Sequence, residues 1–198
     1  MPRAKQRTPE LRGKVLQAAV DTLMADGVTG FTTRRVAQAA CTSTPAVYEL
    51  FGDRAGLVRE MFFHAFHQLG EQFDQLGATD DPRRDLTEVI KTLRGFVVDH
   101  PALGQLMFSR PFADFDPGPR ERSAGTKTRQ FITARVRRCI DAGVFTGDET
   151  DIAHVILGLA RGLASQEAAG WLGSSQESIE RRWELAIDSL FAGLAVRR

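Results

Sequence analysis

Cysteine is scarce in this chain of 198 residues, which holds only Cys41 and Cys139. Two thiols so far apart, without CxxC spacing, exclude a disulfide framework and a zinc ribbon, and are expected as small buried hydrophobes in a reducing compartment. Long apolar runs are missing as well. No stretch of about 18 apolar residues is present to span a bilayer, and the basic start with Arg3, Lys5 and Arg7 lacks the apolar segment that a secretory signal needs behind it. A soluble, cytoplasmic protein with no membrane partner is expected. Catalytic signatures are absent too: there is no GxSxG, no HExxH, no glycine-rich phosphate loop, and no Ser or Cys with a histidine at an instructive spacing. No cofactor is implied, and an enzyme is the weaker reading. Tyrosine occurs once, as Tyr48.

Hydrophobic residues make up 42% and charged residues 26% of the chain, enough to bury a sizeable core in one large or two unequal domains. Residues 1–60 carry nine basic side chains against six acidic ones, a net of +3, so with +1 overall the remaining 138 carry −2. That mild asymmetry suits a solvated surface as well as an anionic partner.

Apolar residues recur at threes and fours almost everywhere, with no sustained alternation at twos, which predicts an all-α chain. Thr8-Pro9-Glu10 predicts a helix start, and the stripe Leu11, Val15, Ala18, Ala19 and Leu23 runs to a stop at Gly27. Thr32 caps a short second helix through Ala40. Ser43 or Thr44 caps a third, with Pro45 in its first turn and Gly52 ending it at Phe51. Asp53 caps a long fourth helix striped by Leu57, Phe66, Leu69 and Phe73. Five more helices are expected over 81–100, 101–108, 119–142, 148–171 and 174–194. Between them, SRPFADFDPGPRERSAG at 109–125 is rich in Pro, Gly and charge yet carries Phe112 and Phe115, which predicts a long loop lying against its own domain.

A short helix, a tight turn and a second short helix opening on hydroxyls is the layout of a helix-turn-helix, whose second helix enters the major groove N-terminus first. Small residues at that start, Ser43, Thr44, Pro45 and Ala46, let the backbone approach base edges. Val47, Leu50 and Phe51 pack inward and leave Tyr48 to reach a phosphate with its hydroxyl. The competing reading is a buried tyrosine capping an αα-corner.

The run FTTRRVAQAACTSTPAVYELFGDRAGLVREMF at 31–62, preceded by LMADGVTG, resembles the N-terminal DNA-binding domain of TetR-family transcriptional regulators. The spacing of Gly27, Thr32, Val36-Ala37, Ser43, Tyr48, Phe51 and Arg54 carries the match. Beyond residue 60 the resemblance is one of layout, helped by HPAL and LMF within 100–108 and by LARGLASQEAAG at 159–170. It implies a three-helix DNA-binding domain at 1–53 and a larger helical regulatory and dimerisation domain at 54–198. It implies, further, a homodimeric repressor on a palindromic operator, released by a small-molecule effector. Carried over by position, Thr32, Thr33 and Arg35 at the start of the second helix, Tyr48, and Arg54 at the start of the fourth are expected on backbone phosphate. Ser43, Thr44, Pro45 and Ala46 are expected at base edges, and Arg3, Lys5 and Arg7 resemble the basic arm of some members. Two departures stand out: Cys41 replaces the usual glycine of the turn, and Glu49-Leu50 replace residues often basic or histidine. Glu49 either accepts from a cytosine amino group or points off the DNA.

His64 and His67 lie at i, i+3, but no Asp, Glu or Cys completes a metal site locally, so no metal is expected. Cys41 beside the DNA helix carries a redox alternative. Eleven of thirteen phenylalanines follow residue 60, and with a few polar residues on apolar helices this is the composition of a small-molecule pocket as well as of an ordinary core. The pocket residues expected are Phe62, Phe66, Phe96, Met107, Phe108 and Phe131, with Arg135, His154, Arg161 and Trp171. Apolar stripes on the last two helices, with Gly158 and Gly162 at i, i+4, suggest a two-fold bundle through Ile156, Leu159, Leu163, Trp183, Ile187 and Leu190. Ligand-independent or Cys41-dependent DNA binding, and a small-molecule-binding enzyme, remain as the alternatives.

Overall fold

The computed structural model describes residues 9–109 and 111–196. Nine helices follow in order among them: α1 Pro9–Gly30, α2 Thr33–Ala39, α3 Thr44–Phe51, α4 Arg54–Asp74, α5 Pro82–Asp99, α6 Pro101–Ser109, α7 Pro119–Asp141, α8 Glu149–Ala168 and α9 Gln176–Leu194. The all-α expectation holds. Thr8 and the basic arm residues Arg3, Lys5 and Arg7 lie outside the described residues.

Helix starts fall where the side chains dictate, because the first amides of a helix have no partner within it. Thr32 Oγ1 accepts from the Arg35 amide at 3.3 Å, Ser43 Oγ from Ala46 at 3.4 Å, and Asp81 Oδ1 from Arg84 at 3.0 Å. Asp148 caps α8, and Ser175 with Ser178 forms a capping box on α9. Each such cap contributes about 1 kcal/mol. Gly27 does not end α1 outright: its φ of 64° kinks the helix, and a last helical piece continues to Gly30.

The chain forms two compact units. Among the described residues, one comprises those up to Ala65 together with those of 102–122, the other Phe66–Pro101 together with those from Ser123 onward. α4 contributes residues to both.

In the first unit α2 and α3, of 7 and 8 residues, are too short to be stable alone. They are held by one-sided burial of Val36, Ala37, Val47 and Phe51, beside Val15, Ala19 and Leu23 of α1. The loop after α6 belongs here as well, not with the helices that follow it as its sequence position suggests. Phe112 and Phe115 are both 3% exposed; the first meets Phe31 edge-on at 5.4 Å between ring centres, the second meets Phe62 at 5.5 Å. Aromatic burial of this size outweighs the local loop composition.

In the second unit α5 packs on α8. The buried residues of α8 include Ala153, Ala160 and Ala164, whose small side chains let α5 with its Leu86, Ile90, Leu93 and Phe96 come close. Two polar clusters tie α5 to its surroundings, the first to the preceding segment and α7, the second to α8 and α9. Asp85, 6% exposed, accepts from the Thr79 amide at 2.9 Å, the Thr79 hydroxyl at 2.8 Å and Arg138 Nη1 at 2.5 Å. Arg94 donates to Glu167 and Glu180 at 2.7–2.8 Å beneath the Trp183 indole, whose Nε1 donates to Glu167 at 2.7 Å. None of the described helices is long and apolar enough to cross a membrane.

Candidate nucleic-acid interface

The turn between α2 and α3 is closed by backbone. The Cys41 amide donates to Gln38 O at 3.0 Å and the Thr42 amide to Ala37 O at 2.9 Å. This bend puts Cys41 at φ 53°, and among the described residues it is the one non-glycine residue at positive φ. Cys41 is also exposed, against the expectation of burial, because the turn lifts it off the core; Cys139 is buried as expected, and burial pushes its thiol up to about 11.

α3 sorts its side chains cleanly. Val47 is fully buried and Phe51 nearly so, whereas Tyr48 is 43% exposed and Ser43, Pro45 and Glu49 face solvent with Thr44 and Ala46 half-exposed. Ser43 to Ala46 and Tyr48 therefore form one outward strip, and the buried αα-corner reading of Tyr48 is ruled out. Gly52 at φ 85° ends the helix. Gly56 then lets α4 start at once, since a Cβ there would sit 1.9 Å from the Phe51 carbonyl oxygen, and its amide takes the Asp53 cap at 2.6 Å.

Thr32 is exposed at the start of α2, but Thr33, expected on phosphate, is 6% exposed. It lies one turn before Ala37 on the face that packs inward. Arg35 reaches outward but pairs with Asp26 at 2.6 Å. Arg54, expected on phosphate, is likewise engaged: Asp114 of the α6–α7 loop holds its Nη1 at 2.5 Å.

Arg12 was not singled out from sequence, yet it fixes the far end of α3. Its Nη1 donates to Leu50 O at 2.8 Å, satisfying a carbonyl at the helix C-terminus, while Nη2 pairs with Glu60 at 2.6 Å and the guanidinium lies 4.6 Å from the Phe51 ring centre. Its partners are 38 and 48 positions away, so no local pattern signals the role.

The remaining expected sites are dispersed. His64 and His67 belong to no metal-binding group, and none of three or more ligands exists among the described residues. Of the expected pocket, Phe62, Met107 and Phe108 fall in the first unit and the other seven in the second. Phe131 stacks on Phe73 at 5.2 Å, with Arg135 over Phe131 and bonded to Leu76 O, so Arg135 already has a structural task. His154 is exposed and Trp171 is 82% exposed, so these two do not line an interior. Phe96 is buried on α5 beside His100, and Arg161 is half-buried. Between α5 and α9 the second unit presents a cleft of about 330 Å³ bordered by Arg83, Lys91, Trp183 and Asp188. Of the expected dimer residues, Ile156, Trp183 and Ile187 are 2%, 3% and 9% exposed within the single chain, so they serve its own core. Three of the six expected residues are thus taken up within the subunit itself. Leu159, Leu163 and Leu190 are half-buried, and the exposed large apolar side chains of α8 and α9 are Val155 and Leu185.

A short helix with small outward residues at its start, clamped behind a backbone-closed turn, has the layout of a helix-turn-helix. Two family models match: residues 15–61 match "Bacterial regulatory proteins, tetR family", and residues 86–190 match "Tetracyclin repressor-like, C-terminal domain". The chain belongs to the TetR family. It is 26% identical over 144 residues to an HTH-type transcriptional regulator of Mycobacterium tuberculosis, a match covering 70% of this chain and 59% of that protein, so the chain spans well under two thirds of the curated relative's length. A protein of unknown function from Rhodococcus sp. RHA1 superposes with a TM-score of 0.81 at 26% identity, over 99% of this chain and all of that one. A TetR variant from Acinetobacter baumannii, solved in complex with minocycline, shares the fold with a TM-score of 0.64 at 17% identity, over 91% and 94% of the two chains.

Proposed function

We propose that the chain acts as a homodimeric repressor, reading a palindromic operator with α3 of each subunit and released by a small apolar or aromatic effector. The observation that carries the reading is the outward strip of Ser43, Thr44, Pro45, Ala46 and Tyr48: small side chains where bases are approached, and one hydroxyl placed for a phosphate. A single helix of 8 residues makes few base contacts, so two copies one DNA turn apart supply the specificity one lacks. Repression then follows from occupancy of the promoter. For the effector, support comes from the half-buried phenyl rings of Phe66 and Phe131 in the second unit and from the minocycline complex of the Acinetobacter relative. The division of labour at 53/54, with DNA reading before it and regulation after it, belongs to the same proposal.

The experiment is selection of bound sequences from random duplex, followed by affinity measurement. Tyr48→Phe is expected to weaken binding to selected and random DNA alike, and Thr44→Ala to relax preference at one position by about 1–3 kcal/mol. Unchanged affinity of Tyr48→Phe across several salt concentrations would remove the phosphate role.

A further inference from the structure

Arg54 opens α4 just past the end of α3, and its guanidinium is already occupied. Nη1 lies 2.6 Å from Asp114 Oδ1 and 2.5 Å from Oδ2, and the rings of Phe112 and Phe31 flank the cation at 4.9 and 5.7 Å. Phe112 against Phe31 and Phe115 against Phe62 pin the loop on both sides of Asp114, so the carboxylate is presented to Arg54 by buried anchors rather than by chance.

The pair itself remains within reach of solvent, its side chains being 33% and 43% exposed. An exposed ion pair is weak and readily exchanged. The neighbouring pair is of a different kind: Arg59 Nε holds Glu121 at 2.6 Å, and that carboxylate is 6% exposed. Burial would push the Glu121 carboxyl up, but backbone hydrogen bonds and Arg59 outweigh it and hold it below its ordinary value. The start of α7 is thus fastened to α4 by a pair that resists exchange, while the tip bearing Asp114 is fastened by one that permits it.

A carboxylate and a DNA phosphate offer arginine the same thing, two anionic oxygens in hydrogen-bond geometry. Both cannot take the same Nη1 hydrogens. We propose that Asp114 is an internal stand-in for phosphate, an autoinhibitory contact that the DNA backbone displaces from Arg54. The inference rests on the DNA-binding reading above. It follows that the seat of the 111–118 loop sets DNA affinity without any change in α3.

The test compares binding to a mixed-sequence duplex at fixed salt, because phosphate contacts do not depend on sequence. Asp114→Asn and Asp114→Ser are expected to tighten binding roughly two- to fivefold, the scale of an exposed ion pair. The same substitutions made on Arg54→Gln should have no effect, and Asp116→Asn, which removes an equal charge nearby, should leave affinity almost unchanged. Weaker or unchanged binding by the Asp114 variants with helicity intact overturns the proposal. So does equal tightening on Arg54→Gln, which would mark bulk charge instead of exchange. In the unmodified protein, amide hydrogen exchange at 112–116 should speed up on adding the duplex, and slower or unaltered exchange also counts against it. Failure of the unmodified protein to bind any duplex would instead sink the DNA-binding reading itself.

Discussion

At the scale of single residues, Cys41 shows how a departure from a family pattern becomes a physical statement. The turn requires φ near 53°, a region where any side chain with a Cβ is strained and glycine is not. Cysteine there costs native-state strain, while glycine would cost unfolded-state entropy. The first outweighs the second, so Cys41→Gly is expected to raise stability by about 0.5 kcal/mol, read as a shift in the urea midpoint at unchanged slope. A loss of stability would mean that the thiol makes a contact worth more than the strain. Arg12 is the reverse case. Its type and position fit an ordinary solvated charge on α1, and only the fold brings it to Leu50 O, Phe51 and Glu60. Caps and the outward strip of α3 were legible in the sequence because they depend on neighbours within four positions; Arg12, Thr33 and the Arg54–Asp114 pair were not, because they depend on which face meets what.

At the scale of elements, the second unit is tied by Asp85, at the start of α5, to the segment before it through Thr79 and to α7 through Arg138. Burial pushes the Asp85 carboxyl up, but the Thr79 amide and hydroxyl and the Arg138 guanidinium outweigh it and hold it at about 2, from an ordinary 3.8. A folded-state value below the unfolded one means stability that is present above pH 4 and lost as pH falls from about 4 to about 2. A gap of this size corresponds to about 2 kcal/mol. Asp85→Asn is therefore expected to cost about 2 kcal/mol at pH 7, and the gap from the unsubstituted protein should close near pH 2. Urea titrations at both pH values decide it; an undiminished gap in acid would assign the loss to packing. The helices that this cluster joins were readable from their periodicity and caps, whereas the cluster needed α5 and α7 side by side.

At the scale of the whole molecule, α8 carries two glycines that the single chain does not use. A Cβ built at Gly158 or Gly162 would meet nothing within 4 Å, and both positions are exposed. Each glycine inside a helix costs about 1 kcal/mol relative to alanine, so the isolated subunit would be better without them. Beside them Val155 is 53% exposed, and on α9 Leu185 is 67% exposed. On the homodimer proposed above, unused glycines next to uncovered apolar side chains fit a face on which another helix closes, as in a two-fold bundle of α8 and α9 from two subunits. The faces that bear Ile156 and Ile187 are spent on the subunit's own core, so the opposite faces are the ones left for a partner. Gly158→Leu and Gly162→Leu are thus expected to leave the subunit folded, with a thermal midpoint equal to or above that of the unsubstituted chain, and to convert a dimer into monomers in sedimentation velocity. Each substitution enters a two-fold contact twice, so a leucine that is harmless in one chain becomes two intruding side chains between two. Affinity for a palindromic site should fall toward that of a half-site, while binding to mixed-sequence DNA per subunit changes little. Variants that stay dimeric would place the subunit contact elsewhere and leave the glycines of α8 without a purpose in assembly.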